Sequence, residues 1–146
     1  MPNPPVIKGQ CLCGAIEFEV TPPSLWAAHC HCTQCRRSHG AAFVTWFGIA
    51  ECRLHIHDDQ NLLHWHQSSA AARRGFCRDC GSRLFFQSSR WPGEMHITLA
   101  SLLTPLDREP TAHVFWDSHV KWAPTVDQHP HYGGESGTEL LDDAGK

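Results

Sequence analysis

Seven of the chain's eight cysteines fall into three short clusters, and thiolates at such spacings read as metal ligands first. The clusters are Cys11-Leu12-Cys13-Gly14, Cys30-His31-Cys32-Thr33-Gln34-Cys35 and Cys77-Arg78-Asp79-Cys80-Gly81, with Cys52 standing alone. Cys11 and Cys13 are two residues apart, so on an extended strand both project to one face. Cys77 and Cys80 form a Cys-x-x-Cys knuckle, and the glycine after it permits the positive φ such a turn demands. These two pairs together make a closed, tetrahedral four-thiolate site, the usual structural zinc arrangement, closing a loop of about sixty residues. The middle cluster then holds three thiolates, Cys30, Cys32 and Cys35, with a fourth position open, which is the ligand count of a catalytic zinc. Spacing alone leaves alternatives. His29, His31 or His39 could close the middle site, His39 lying one helical turn past Cys35. Disulfides or a redox pair are also open, as is the choice of which clusters pair.

Three thiolates on Zn2+ carry a net charge of about −1. Such a zinc is suited to a soft sulfur ligand, so the natural occupant of the open position is water or a substrate thiol. Arg36 and Arg37 follow the middle cluster directly. They could offset thiolate charge or grip the carboxylates of an anionic ligand; a solvated basic surface is the plain alternative. Arg73, Arg74 and Arg78 flank the third cluster and are expected to balance a four-thiolate site of charge about −2. His31 sits between two ligand positions and points the other way, to orient a ligand or to pack. Cys52 is expected to be a small, buried strand residue. Trp46 and Trp91 are the expected pocket walls.

The elements that must position these residues are mostly strands. Gly14–Val20 alternates apolar and polar residues, and Ala42–Ala50 is rich in aromatic and β-branched residues. Further strand-like pieces lie at Cys52–His57, Leu62–His66, Arg83–Gln87, His96–Leu99 and His113–Trp116. Only Thr33–His39 and Ser101–Leu103 leave room for a helical turn, and no segment sustains a 3.6-residue apolar period. The fold class is therefore mainly β. With 146 residues, 41% hydrophobic and 18% charged, the chain reads as one folded domain over residues 1–124. Residues 125–146, rich in Pro, Gly, Ser and acid, are expected to be a flexible tail. A net charge of −3 offers no basic footprint for nucleic acid. The lack of an apolar run of about 18 residues argues against a membrane span. The Pro-rich start, Met1–Gln10, lacks the apolar stretch of a signal peptide. A cytoplasmic, reducing location is the expectation, in which cysteines bind metal before they form disulfides.

These motifs, taken in order, resemble the glutathione-dependent formaldehyde-activating enzyme family, which includes centromere protein V. The matching residues are Gly9-Gln10-Cys11-Leu12-Cys13-Gly14, then Cys30-His31-Cys32-Thr33-Gln34-Cys35-Arg36-Arg37 with Gly40-Ala41. Ser68-Ser69, Arg74-Gly75-Phe76-Cys77-Arg78-Asp79-Cys80-Gly81-Ser82-Arg83-Leu84 and Pro110–Phe115 with Trp122 follow. The resemblance spans roughly Val6 to Pro124; Cys52 and the tail stand outside it. It implies small folded β-sheets, β-tent-like, in a single domain around two zinc ions. The structural zinc would take Cys11, Cys13, Cys77 and Cys80, and the catalytic zinc Cys30, Cys32 and Cys35. The implied activity is that of a carbon–sulfur lyase joining glutathione and formaldehyde into S-hydroxymethylglutathione, or the reverse. A non-catalytic, zinc-stabilised binding module is the competing reading; it would want a basic stripe, and the acidic tail disfavours it. A dithiol redox sensor at Cys77 and Cys80 lacks the βαβ context such a site needs.

Overall fold

A computed structural model describes residues 5–142; the extreme ends of the Pro-rich start and of the expected tail lie outside the described residues. The chain order is β1 (Ile7–Gln10), β2 (Glu17–Val20), β3 (Trp26–Cys30), α1 (Thr33–His39), β4 (Val44–Ala50), β5 (Leu54–His57) and β6 (Leu63–Gln67). It continues with β7 (Ala72–Cys77), β8 (Arg83–Ser88), β9 (Glu94–Thr98), β10 (His113–Val114), β11 (Tyr132–Gly133) and β12 (Glu139–Leu140). The protein is thus mainly β, with small sheets and one α-helix among the described residues. That helix falls on the expected Thr33–His39. The second expected helical turn lies slightly earlier, as a 3-10 turn at Leu99–Ser101. No helix among the described residues is long and apolar enough to cross a membrane. Two compact units can be distinguished, and each has its own interior.

The first unit takes the chain up to Trp26 and again over Phe47–Arg108. Alternation along Glu17-Phe18-Glu19-Val20 buries Phe18 and Val20 on one face of β2, as a half-buried strand requires. β1, β2 and β5 form an antiparallel sheet with Gly9 opposite Phe18 and Phe18 opposite Ile56. β6, β7, β8 and β9 are successive antiparallel neighbours, with a register shift at Gly75/Phe76. Leu84, Phe85, Met95 and Ile97 join Ile16, Phe18, Phe47 and Ile49 in the core, and the Phe18 and Phe85 rings meet edge-on at 5.3 Å. Burial of each large side chain of this kind stabilises the fold by roughly 1.5–3 kcal/mol.

Gly9 matters here because a Cβ at that position would overlap the Phe18 ring. Phe18 is fully buried, and interiors pack with few voids for a ring to move into. Gly9→Ala is therefore expected to cost about 1–3 kcal/mol by overpacking. A lower denaturant midpoint with an unchanged slope would show it; an unchanged midpoint would mean that the ring moves aside.

The second unit comprises Ala27–Trp46 and the chain from Glu109 onward. β3 and β10 pair in parallel, with His29 opposite His113 and Cys30 opposite Val114. β11 and β12 pair antiparallel, so the stretch after 124 carries a short hairpin. Its neighbours reach back to β10, with His113 N donating to Pro130 O at 3.0 Å and Phe115 N to Gly137 O at 2.9 Å.

Candidate metal centres

In the first unit the cysteines occupy two turns. Cys11 and Cys13 lie in the turn after β1, not on an extended strand. Gly14, at φ +80°, lets this turn close, with its N–H donating to Cys11 O at 3.1 Å. Cys77 ends β7, and Gly81 at φ +78° closes the second turn, donating to Cys77 O at 2.8 Å. The two turns are pinned together by Ser82, whose hydroxyl accepts from Leu12 N at 2.8 Å and lies 3.2 Å from Cys80 Sγ. The four sulfurs consequently gather within 4.8 Å of one another. Cys13 Sγ is 3.6 Å from Cys11 Sγ and 3.8 Å from Cys77 Sγ.

Such crowding works against ionisation of free thiols. The backbone bond from Ala15 is the largest influence on Cys13 and lowers its pKa. Desolvation and the Cys11, Cys80 and Cys77 sulfurs outweigh it and push Cys13 up to about 12. Desolvation is also the largest influence on Cys80, acting upward, but the Ser82 hydroxyl and the Cys13 and Ser82 amides bring it down to about 6. Four sulfurs gathered this closely are a donor set that a divalent cation would complete.

The second unit assembles Cys30, Cys32 and Cys35, also within 4.8 Å. Cys30 ends β3, and Cys32 is the N-cap of α1, its sulfur accepting from Cys35 N at 3.2 Å. One turn of helix then brings the buried Cys35 to 3.5 Å from Cys30 Sγ. Sulfur contacts with Cys32 and Cys35, followed by burial, raise Cys30 well above an ordinary thiol. The three histidines considered as a fourth ligand have other partners. His29 Nδ1 is 2.8 Å from Thr45 Oγ1, His31 Nε2 is 2.8 Å from His113 Nδ1, and His39 lies edge-on to Trp46. Burial first, then neighbouring histidines, lower His31 to about 3, so its ring is neutral.

The arginines divide. Arg36 is half-buried and donates to Ser118 O at 3.0 Å, whereas Arg37, the next residue on the helix, is exposed. Arg73 and Arg78, expected to balance the four-sulfur group, have their guanidinium groups engaged by other partners. Arg73 lies 4.0 Å over the Trp65 ring and donates to Gln87 at 2.8 Å, and Arg78 donates to Asn61 O at 2.6 Å. Arg74 lies over the Phe86 ring. Strand pleating turns consecutive side chains of β7 to opposite faces, which proximity in sequence does not reveal. Cys52 is exposed on a 3-10 turn, Glu51–Arg53, instead of buried on a strand. Trp91 does line a cavity of ≈ 280 Å³, in the first unit with Arg73, Gln87 and Glu94, while Trp46 is buried against His39 in the second.

Among the described residues one more group has metal-ligand character: His29, His113 and Asp127. Sequence reasoning missed it, having taken His113 as a strand residue and Asp127 as part of a tail. The density of acid and histidine in Asp127-Gln128-His129-Pro130-His131 was the available signal.

A family model described as glutathione-dependent formaldehyde-activating enzyme matches residues 6–118. A Halomonas elongata protein named as a putative glutathione-dependent formaldehyde-activating enzyme is 26% identical over 125 residues, covering 80% of this chain and 79% of its own. A Phaeosphaeria nodorum protein of the same name is 36% identical over 80 residues, 53% of this chain and 42% of its own. An uncharacterized lyase of Schizosaccharomyces pombe is 30% identical over 82 residues, 56% of this chain and 58% of its own. A crystal structure of a Rhodobacter sphaeroides protein superposes with a TM-score of 0.57 at 30% identity, covering 68% of this chain and 91% of that one.

Proposed function

The chain belongs to the glutathione-dependent formaldehyde-activating enzyme family, and from that premise we propose that it is a zinc-dependent carbon–sulfur lyase acting on thiol adducts of aldehydes. In this reading Cys11, Cys13, Cys77 and Cys80 hold a structural zinc, and Cys30, Cys32 and Cys35 hold a second zinc with one position left for substrate. The observation that carries the reading is the unequal grouping of the sulfurs, four in one unit and three in the other. Both donor sets fit the ion, since all seven ligands are sulfurs and crowding keeps several protonated until a cation offsets their charge. Zinc at the three-sulfur group would supply a soft, Lewis-acidic position for the substrate's sulfur.

The chain's own residues supply the surroundings. Arg37 is exposed on α1 next to the cluster and is the side chain free to meet a glutathione carboxylate. Arg36, bonded to Ser118 O, anchors the helix to the chain after β10. His31, between Cys30 and Cys32 in sequence, is buried edge-on against the buried Trp116, with ring centroids 4.8 Å apart. The reaction balances without an oxidant or reductant. In the synthetic direction the sulfur–carbon bond forms, the thiol loses its proton, and the former carbonyl oxygen gains one.

Glutathione and formaldehyde also combine unaided, so the test is the rate of exchange at equilibrium. Two-dimensional exchange NMR of the three species should show faster interconversion with zinc-loaded protein, and the unaided rate after chelation. An exchange rate that the loaded protein leaves unchanged would remove the enzymatic reading and favour a zinc-stabilised binding module.

A further inference from the structure

We infer that His29, His113 and Asp127 form a further metal site, of two-histidine, one-carboxylate type, for a divalent first-row transition ion. It uses none of the cysteines, so it stands or falls separately from the lyase reading. Its scaffold is the parallel pair β3–β10, whose register sets His29 directly opposite His113. Register partners share a face of the sheet, and neighbouring strands lie only about 4.8 Å apart. The two rings accordingly have centroids 4.8 Å apart. Asp127 completes the set from the loop before β11, with its carboxylate oxygens 2.9 Å and 3.0 Å from His113 Nε2. One donor atom from each of the three residues lies within 4.8 Å of the others. Two donors on one ion, with bonds of about 2.1 Å, are separated by roughly 3 Å; His113 and Asp127 already have that spacing, and the His29 donor lies within 4.8 Å of both.

A second observation concerns the other ring nitrogens. A histidine that ligates a metal almost always has its remaining nitrogen held by a hydrogen-bond partner, which fixes tautomer and orientation. Here His29 Nδ1 is 2.8 Å from Thr45 Oγ1, and His113 Nδ1 is 2.8 Å from His31 Nε2. The carboxylate is oriented too, by His129 N donating to Asp127 Oδ1 at 3.0 Å. The nitrogen that would ligate on His113 is thus the one turned to the carboxylate. His113 is 1% exposed and the Asp127 side chain 32%, so one side of the group is closed and the other open to solvent and to entry of an ion. Two imidazoles and a carboxylate suit Mn(II), Fe(II), Co(II), Ni(II) or Zn(II), whereas the cysteine groups favour Zn(II) and other thiophilic ions. The plain alternative is that His113 and Asp127 are a hydrogen-bonded pair whose only task is to hold His31.

Cobalt separates the two. Full-length protein whose cysteine groups are saturated with zinc should take up about one further equivalent of Co(II), counting one ion per donor set. The added ion should show weak ligand-field bands without sulfur-to-metal charge transfer, and no zinc should be released. Asp127→Asn preserves a hydrogen bond to His113, and His29→Gln keeps an amide near Thr45. Each should weaken Co(II) binding by about tenfold or more, as loss of a ligand demands, with cysteine-bound zinc and far-UV circular dichroism unchanged. Zinc-saturated protein that binds no cobalt would overturn the site. So would cobalt that enters only by expelling zinc, with charge-transfer bands, or cobalt uptake indifferent to both substitutions.

Discussion

Cys80→Ser is expected to yield a chain that is largely unfolded as purified, with metal missing from the four-sulfur group. Under the proposed reading the reason is linkage. A structural zinc contributes about 10–16 kcal/mol of apparent binding free energy at neutral pH, and that energy is available only to the folded chain. A domain of this size has a net stability of only about 5–15 kcal/mol, so losing a large part of the zinc term exceeds the margin. Cys80 is the most telling of the four ligands to remove. Desolvation opposes its ionisation, but hydrogen bonds from Ser82 and from backbone amides outweigh it and bring Cys80 below an ordinary thiol, to about 6. A serine hydroxyl at that position stays neutral and offers zinc no anionic ligand. Far-UV circular dichroism with elemental analysis reads the result. Cys52→Ala is the control, since Cys52 is exposed on a 3-10 turn, and surface changes of that kind stay within about 0.5 kcal/mol. A Cys80→Ser protein that melts like the wild type would show that the four sulfurs are no structural clamp.

What could be read beforehand, and what could not, follows from where local chemistry decides the structure. The cysteine groups were legible because ligand spacing is a local property, and the glycines that close both turns sit beside the ligands in sequence. β2 and β4 were legible too, the first by its alternation and the second by its aromatic and β-branched run. β7 was not, because Ala72-Arg73-Arg74-Gly75-Phe76-Cys77 carries two arginines and a glycine, which strands disfavour. Its arginines are accommodated because their guanidinium groups lie over the Trp65 and Phe86 rings, a compensation made by other strands. β3 was hidden for a related reason. Trp26-Ala27-Ala28-His29-Cys30 has no β-branched residue, and it is held by partners such as Val114 that lie far along the chain. The group of His29, His113 and Asp127 combines both difficulties, since two of its members come together only through a parallel pairing with an 84-residue separation, 113 minus 29. No local periodicity reports such a meeting.

Cys32→Ser, in contrast to Cys80→Ser, is expected to leave the fold intact while reducing thiol–aldehyde exchange to the unaided rate. The contrast rests on the two tasks of the Cys32 sulfur. It is one of three sulfurs in the middle group, and it also caps α1 by accepting from Cys35 N at 3.2 Å. Serine is among the best N-cap residues, so the substitution keeps the cap, whereas alanine would lose about 1 kcal/mol of helix stability. The helix start, the Arg36 bond to Ser118 and the burial of Cys35 should therefore survive. What the substitution removes is an anionic sulfur, leaving Cys30 and Cys35 as a pair that binds zinc far more weakly. Cobalt-substituted protein makes the change visible. In the wild type, added glutathione should strengthen the sulfur-to-cobalt charge-transfer bands as a further thiolate joins the ion; in Cys32→Ser it should not. Substituting Arg37 with glutamine tests the neighbouring role, because it should weaken glutathione more than an uncharged thiol if the guanidinium meets a carboxylate. A Cys32→Ser protein that keeps both its second metal and wild-type exchange would show that the three-sulfur group does not carry the reaction.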